Sequence, residues 1–182
     1  MASLRNFLRN PIRPSRTRST ALLFAKSVLN AILFFAVFMI ALPAAAQWLL
    51  PMALPLPEVL RTWVAGALAL VGMATWMVCL DAFSRVGHGT PLPLDAPRDL
   101  VRSGPFGVTR NPIMLAELLV IWAEALYVAS VGVWLYAIAI SVLAHLAVVR
   151  IEEPELRSRF GAAYDEYCRD VPRWMPRLSP RC

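Results

Sequence analysis

Charges are missing from three long stretches of this chain. No Asp, Glu, Lys or Arg occurs in residues 27–57 or 62–80, and residues 111–149 carry only Glu117 and Glu124. A helix that spans a bilayer needs about 20 apolar residues. The first two stretches therefore predict one spanning helix each, over 28–50 and 62–80. The third is too long for one passage and long enough for two. With Ala129, Ser130, Val131 and Gly132 as the turn, it predicts helices over 113–129 and 133–149. Both are short, so tilt, thinning or extension into the interface is expected. The expected fold is an all-α integral membrane protein of four transmembrane helices, the last two forming a hairpin. Composition excludes the main alternatives. At 58% hydrophobic the chain has too much apolar material for disorder. Its 3 Cys do not make a disulfide scaffold. With no G-x-G-x-x-G stretch, no Rossmann domain is expected.

The basic residues orient these helices. Of 18 Lys and Arg, Arg5, Arg9, Arg13, Arg16, Arg18 and Lys26 precede the first helix. Arg85, Arg98, Arg102 and Arg110 lie between helices two and three, and Arg150, Arg157, Arg159, Arg169, Arg173, Arg177 and Arg181 follow the fourth. Only Arg61 falls on the other side. The positive-inside rule makes the basic face cytoplasmic, and four crossings put both termini there. The Arg-rich start followed by Ala44-Ala45-Ala46 also matches a signal peptide with a small-residue cleavage site. However, the apolar run exceeds the usual ~7–15 residues. Cleavage would also leave three crossings and put the basic tail opposite the basic loop, so retention is expected. The Arg-rich arm reads as a topology device that is attracted to anionic lipid, not as a nucleic-acid site.

Five segments follow: an arm (1–27), two spanning helices (28–80), a cytoplasmic loop (81–112), the hairpin (113–149) and a cytoplasmic tail (150–182). The loop is much longer than a usual helix connection of about 2–8 residues, and loops of that size tend to carry function. Leu92, Leu94, Leu100, Val101, Phe106 and Val108 give it apolar anchors. In the tail, Leu156, Phe160, Tyr164, Tyr167 and Val171 recur at helical spacing, predicting an amphipathic helix that ends at Pro172. The cysteines face a reducing compartment or, for Cys79, helix packing. With His88 and His145 as the only histidines, no metal site is expected.

Polar groups inside the apolar region carry the functional signal. A charge at bilayer depth costs about 2.5–3.5 kcal/mol on insertion scales, so such groups usually face the bundle interior and mark function. Arg110, Met114, Glu117, Ile121 and Glu124 advance by three or four residues and share one helical face. His145, Val149 and Glu152 do the same on the fourth helix. An antiparallel hairpin sets Arg110, Glu117, His145, Glu152 and Glu153 around one pocket mouth at the cytoplasmic end. A salt-bridge set that merely pins the hairpin is the structural alternative. Glu124 lies deeper, where it can pair with the hydroxyl of Ser130 or Tyr136.

Three motifs resemble a known group. Gly104-Pro105-Phe106 followed by Thr109-Arg110-Asn111-Pro112-Ile113-Met114 is similar to a G-P-[YF]…R-[HN]-P-x-[YM] stretch. Glu152-Glu153-Pro154-Glu155-Leu156 is similar to an acidic pair after the last helix. Phe160-Gly161, Tyr164, Tyr167 and Val171-Pro172-Arg173-Trp174-Met175-Pro176 are similar to an F-G-x-x-Y-x-x-Y…V-P-R-[WF]-x-P ending. Together, over residues 87–176, they resemble the membrane methyltransferases that include isoprenylcysteine carboxyl methyltransferases and small phospholipid N-methyltransferases. The resemblance implies S-adenosylmethionine as methyl donor, held without a Rossmann domain at the cytoplasmic ends of the last two helices and covered by the tail. It implies cofactor contacts from Gly104, Pro105, Phe106, Arg110, Asn111, Pro112, Glu152, Glu153, Tyr164 and Tyr167. In that picture Arg110 forks onto the methionine carboxylate, Glu152 or Glu153 accepts from the amine or ribose hydroxyls, and Phe106, Tyr164 and Tyr167 pack against adenine. Met114 stands where many relatives have Tyr. Asn111 replaces the His of the isoprenylcysteine type; within the resemblance this implies a bacterial or phospholipid-type member and weakens the case for a prenyl-protein substrate, and a bacterial inner-membrane location is expected.

Methyl transfer from a sulfonium is an in-line displacement that needs alignment and exclusion of water. Glu117, His145 and Arg110 are the candidate catalytic residues. A carboxylate acceptor needs no base, whereas an ethanolamine ammonium must first lose a proton, to Glu117 or His145. The acceptor is expected to be a lipid or lipidated molecule entering from the bilayer. A non-catalytic four-helix assembly or regulatory protein is the competing class. The oligomeric state is not legible in the chain.

Overall fold

A computed structural model of the chain describes residues 32–85 and 99–175, together with residues 25, 28 and 29. The Arg-rich arm apart from residue 25, the 86–98 part of the loop and the 176–182 end of the tail lie outside the described residues. The described residues are all-helical, apart from one isolated bridge between Ala53 and Ser130.

Five helices follow in order. α1 runs over Ile32–Leu49 and contains a π turn at Ala36–Ala41. α2 joins a π turn, Leu60–Val64, to a long helix, Ala65–Arg85. A 3-10 turn, Gly104–Gly107, precedes α3, Pro112–Val128. α4 runs over Val131–Phe160, and α5 over Ala162–Asp170. Three of these, α1, α2 and α4, are long and apolar enough to cross a membrane. α3 has 17 residues and rises about 25 Å at 1.5 Å per residue.

Small residues set the packing. α3 lies against α2, and α4 against both α1 and α3. A methyl at Gly72 of α2 would come within 2.8 Å of the Ala116 carbonyl of α3. A methyl at Gly132 of α4 would strike the Ala46 carbonyl of α1 and lie 2.9 Å from that of Leu50. Between apolar helices, association depends on such close backbone approach and on interhelical hydrogen bonds. The hydrogen bonds are present: Trp122 Nε1 donates to Ser141 Oγ (3.2 Å), and Tyr136 Oη donates to the Phe38 carbonyl (2.6 Å).

The turn between α3 and α4 falls at Ala129 and Ser130, the first half of the expected four residues; Val131 and Gly132 already belong to α4. Ala129 adopts a left-handed φ of 52° and ends α3. The Pro-rich connection after α1 pairs with this tip: Leu54 N donates to the Ala129 carbonyl (2.7 Å) and Val131 N to the Met52 carbonyl (2.9 Å). Arg61 Nε donates to the Tyr127 carbonyl (3.2 Å), a cation at the negative end of α3. Ser130 Oγ donates to the Leu50 carbonyl (3.1 Å). Ser130 and Tyr136 each spend their hydroxyl proton on a backbone carbonyl, of Leu50 and Phe38, so neither donates to Glu124.

Two expectations about the last helices change. α4 does not end at residue 149. It continues to Phe160 through a π turn at Val148–Glu152. Pro154 explains the turn: it lacks an N–H and crowds the preceding carbonyls, so the helix widens there instead of breaking. The single amphipathic helix predicted through Val171 is also absent. Gly161, with φ 52° and ψ −129°, splits it into the end of α4 and the separate α5. The apolar residues still converge. Tyr164, Tyr167 and Val171 form a buried cluster joined by Leu100, Leu156, Phe160 and Cys168. Val101 and Phe106 of the loop pack on buried Cys79 of α2 and Leu100 joins the tail cluster, as expected, whereas Val108 is exposed instead of anchoring the loop.

Candidate active site

The site forms where three chain segments meet at one end of α2, α3 and α4. The stretch before α3 binds the chain after α5 through its backbone. Arg110 N donates to the Pro172 carbonyl (2.9 Å). Thr109 Oγ1 (2.9 Å) and Asn111 Nδ2 (3.0 Å) both donate to the Arg173 carbonyl. Tyr167 Oη of α5 donates to the Phe106 carbonyl (2.7 Å). Residues 106–111 and 167–173 thus form a strap across the end of the bundle.

Glu153 is the electrostatic centre of the strap. It is buried, and accepts from Arg173 Nε (2.6 Å) and Nη2 (2.9 Å) in a forked pair. Arg110 Nη1 lies 3.2 Å from the same carboxylate, with both side chains about nine-tenths buried. Arg110 Nη1 also meets Cys168 Sγ at 2.6 Å, while its Nε is buried with no hydrogen-bond partner among the described residues. Burial pushes the Tyr164 and Tyr167 hydroxyls well above the ordinary tyrosine range, so both remain neutral donors beside this charge cluster.

The other predicted residues separate into two groups. Glu152 occupies the π turn, one residue from Glu153, and its charge reaches Glu117 of α3. Glu117 Oε1 accepts from Trp76 Nε1 of α2 (3.2 Å). Three acidic groups thus belong to this end of the bundle: Glu153 and Glu152 on α4 and Glu117 on α3. His145 stands apart. It is exposed on α4, and its Nδ1 accepts from Trp174 Nε1 (3.1 Å). That contact leaves any proton of a neutral His145 on Nε2. Among the described residues, no hydrogen bond or ion pair joins His145 to Glu117.

Phe106, Asn111, Pro112, Tyr164 and Tyr167 are all buried and hold the strap together, with Gly104 and Pro105 in the 3-10 turn beside them. Sequence reasoning gave no role to Trp76, Arg173, Thr109 or Cys168. Trp76 had a usable signal, because an indole N–H inside an apolar helix needs an acceptor. Arg173 stood in the quoted ending motif, but a bond to Glu153 twenty residues away has no local pattern.

This geometry meets one further observation. The profile of the family described as phospholipid methyltransferase matches residues 60–163, which run from α2 into α5. The chain belongs to the phospholipid methyltransferase family. Its relatives include methanethiol S-methyltransferase 2 of Bradyrhizobium diazoefficiens, 38% identical over 76 residues, which are 42% of this chain and 28% of that protein. The cobalt-zinc-cadmium resistance protein CzcN of Cupriavidus metallidurans is 31% identical over 118 residues, covering 65% of this chain and 53% of that protein. The nickel-cobalt-cadmium resistance protein NccN of Alcaligenes xylosoxydans xylosoxydans is 28% identical over the same length and is 54% covered. The chain thus spans about half or less of the curated relatives it matches. Family membership and three membrane-length apolar helices make this phospholipid methyltransferase family member an integral membrane protein.

Proposed function

We propose that this family member transfers a methyl group from S-adenosylmethionine to an amphiphilic acceptor that enters from the bilayer, its head group at the cytoplasmic interface. The observation that carries this is Arg110. A buried guanidinium with one unpartnered N–H beside the carboxylate of Glu153, with Glu152 next to it in the chain, suits a ligand with both a carboxylate and cationic groups. The residues therefore fit the cofactor. Arg110 holds the amino-acid carboxylate, Glu152 and Glu153 accept from the amine or ribose hydroxyls, and Phe106, Tyr164 and Tyr167 form the aromatic wall. Asn111, Pro112, Gly104 and Pro105 set the position of that wall and of Arg110.

When bound, the cofactor supplies an electrophilic methyl on a sulfonium. The chain's own part is alignment, exclusion of water by the strap, and proton handling. Glu117 is the base for an acceptor that must lose a proton. His145, beneath Trp174, steers the acceptor head group at the interface. α3 is the fourth crossing, which places both termini and the strap in the cytoplasm and the Pro-rich turn outside. Residues 81–182 form the catalytic module, with the spanning helices of 28–80 as its scaffold and the 1–27 arm as a lipid-attracted topology device. The membrane is a bacterial inner membrane.

The acceptor is a lipid carboxylate or a phospholipid amine, in keeping with the apolar surroundings of Glu117. A small thiol is the second reading, favoured by the name of the 38%-identical relative. Calorimetry with S-adenosylmethionine on detergent-purified protein tests the core of the proposal. Absence of binding at about millimolar cofactor would favour a non-catalytic membrane protein. Labelled-methyl transfer into a total lipid extract, with methanethiol in a parallel vial, then distinguishes the acceptors.

A further inference from the structure

We propose that Trp76 is a positioning residue that decides which oxygen of Glu117 handles the acceptor's proton; this rests on the methyl-transfer reading above. Trp76 comes from α2, outside the three motifs. Its indole is buried (6% exposed) and its N–H donates to Glu117 Oε1 at 3.2 Å. The ring is held on two sides. Phe35 of α1 meets it edge-on, with centroids 5.2 Å apart at 82°. Leu80 and Ala116 complete the buried cluster around it, with Ile113 alongside. One turn earlier, Gly72 lets the α3 backbone come close enough for the bond to form, since a methyl there would sit 2.8 Å from the Ala116 carbonyl.

An indole N–H can only donate. Oε1 is therefore an acceptor in either protonation state of Glu117, and because a carbonyl oxygen accepts better than a hydroxyl oxygen, the bond favours a proton on Oε2. No side chain among the described residues bonds Oε2. With Oε1 taken by the indole, Oε2 is the oxygen left for an incoming group. An ammonium or thiol acceptor gives its proton to Oε2 and keeps the electron pair. That pair forms the new bond to the methyl carbon as the carbon–sulfur bond breaks and its electrons pass to sulfur. Without the indole, the carboxyl rotates freely and the proton-accepting oxygen is no longer aimed.

The test compares wild type, Trp76→Phe, Glu117→Ala and the double variant. Turnover is read as labelled methyl entering a total lipid extract, with methanethiol in parallel, and cofactor affinity by calorimetry. Trp76→Phe keeps the ring and removes only the donor. Turnover is expected to drop about tenfold, the equivalent of one hydrogen bond to a charged group, with cofactor affinity unchanged. In the Glu117→Ala background the same substitution is expected to change turnover less than twofold. An activity-independent readout is the 15N–1H signal of the Trp76 indole, assigned by its loss in Trp76→Phe. It is expected to shift in Glu117→Ala. The proposal is overturned if the indole signal does not move, or if the two substitutions act additively. A wild-type protein that binds no cofactor and transfers no methyl overturns the methyl-transfer reading itself, and is told apart because the indole signal still reports the bond.

Discussion

Removal of the Glu153 carboxylate is expected to open the strap selectively. Glu153 is 6% exposed and accepts three contacts, two from Arg173 at 2.6 and 2.9 Å and one from Arg110 at 3.2 Å. Breaking a buried ion pair from one side costs about 3–5 kcal/mol, because the abandoned charge stays desolvated. Here the two abandoned cations differ. Arg173 is 34% exposed and rehydrates, whereas Arg110 is only 10% exposed and cannot. The low end, about 3 kcal/mol, is therefore expected for Glu153→Ala, or roughly 150-fold in a local opening equilibrium. Arg173→Ala leaves Glu153 paired with Arg110, and the strap backbone remains bonded to Thr109 and Asn111. Its cost is about 1 kcal/mol, or roughly fivefold. Hydrogen exchange measured by mass spectrometry in nanodiscs reads both. The Arg110 amide, which donates to the Pro172 carbonyl, is the reporter on one side, and peptides over 162–175 are the reporter on the other. Equal acceleration in the two variants would refute the claim that the buried Arg110 dominates. So would a change below threefold in Glu153→Ala.

Three further outcomes follow from the same structure. Arg110→Ala is expected to abolish S-adenosylmethionine binding in calorimetry, while Glu117→Gln retains binding and loses turnover if the acceptor needs deprotonation. Gly132→Ala is expected to lower thermal stability in detergent by about 1–3 kcal/mol through overpacking against the Ala46 carbonyl. Gly66→Ala, whose methyl meets nothing within 4 Å, is its control. Alkaline pH is expected to loosen the strap. Burial raises the Tyr164 and Tyr167 hydroxyls above their unfolded value, so the stability they contribute is complete below about pH 10 and is lost as pH rises beyond it. Exchange of 162–175 as a function of pH reads this, and Tyr167→Phe is expected to flatten the alkaline part of the curve.

Much of the architecture was legible because the bilayer imposes a strong rule: backbone polar groups must be satisfied inside the span, so charge-free runs become helices. The turn at Ala129 and Ser130, shorter than the four residues expected, the packing role of Cys79 and the anchoring of the loop by Val101 and Phe106 followed from that rule and from apolar pattern. The site was legible in part. Arg110 and Glu153 meet, and Glu152 lies within electrostatic reach of Glu117, because helical spacing already put each pair at one end of the hairpin. His145 was expected in the same group, but on α4 it is exposed and occupied by Trp174. Spacing relates residues within a helix, and says nothing of how far that helix is rotated about its axis.

The chain by itself determined that it is helical, that it lives in a membrane and where its charges collect, because hydropathy acts residue by residue. Tertiary structure decided the rest. Pro154 lengthened α4 through a π turn instead of ending it, and Gly161 divided a continuous periodic pattern into two helices, because a backbone conformation depends on what the neighbouring segments allow. Trp76 and Arg173 became partners of Glu117 and Glu153 across 41 and 20 residues. A hydrogen bond between distant residues is specified only once close helix packing, as at Gly72 and Gly132, has fixed where each side chain ends.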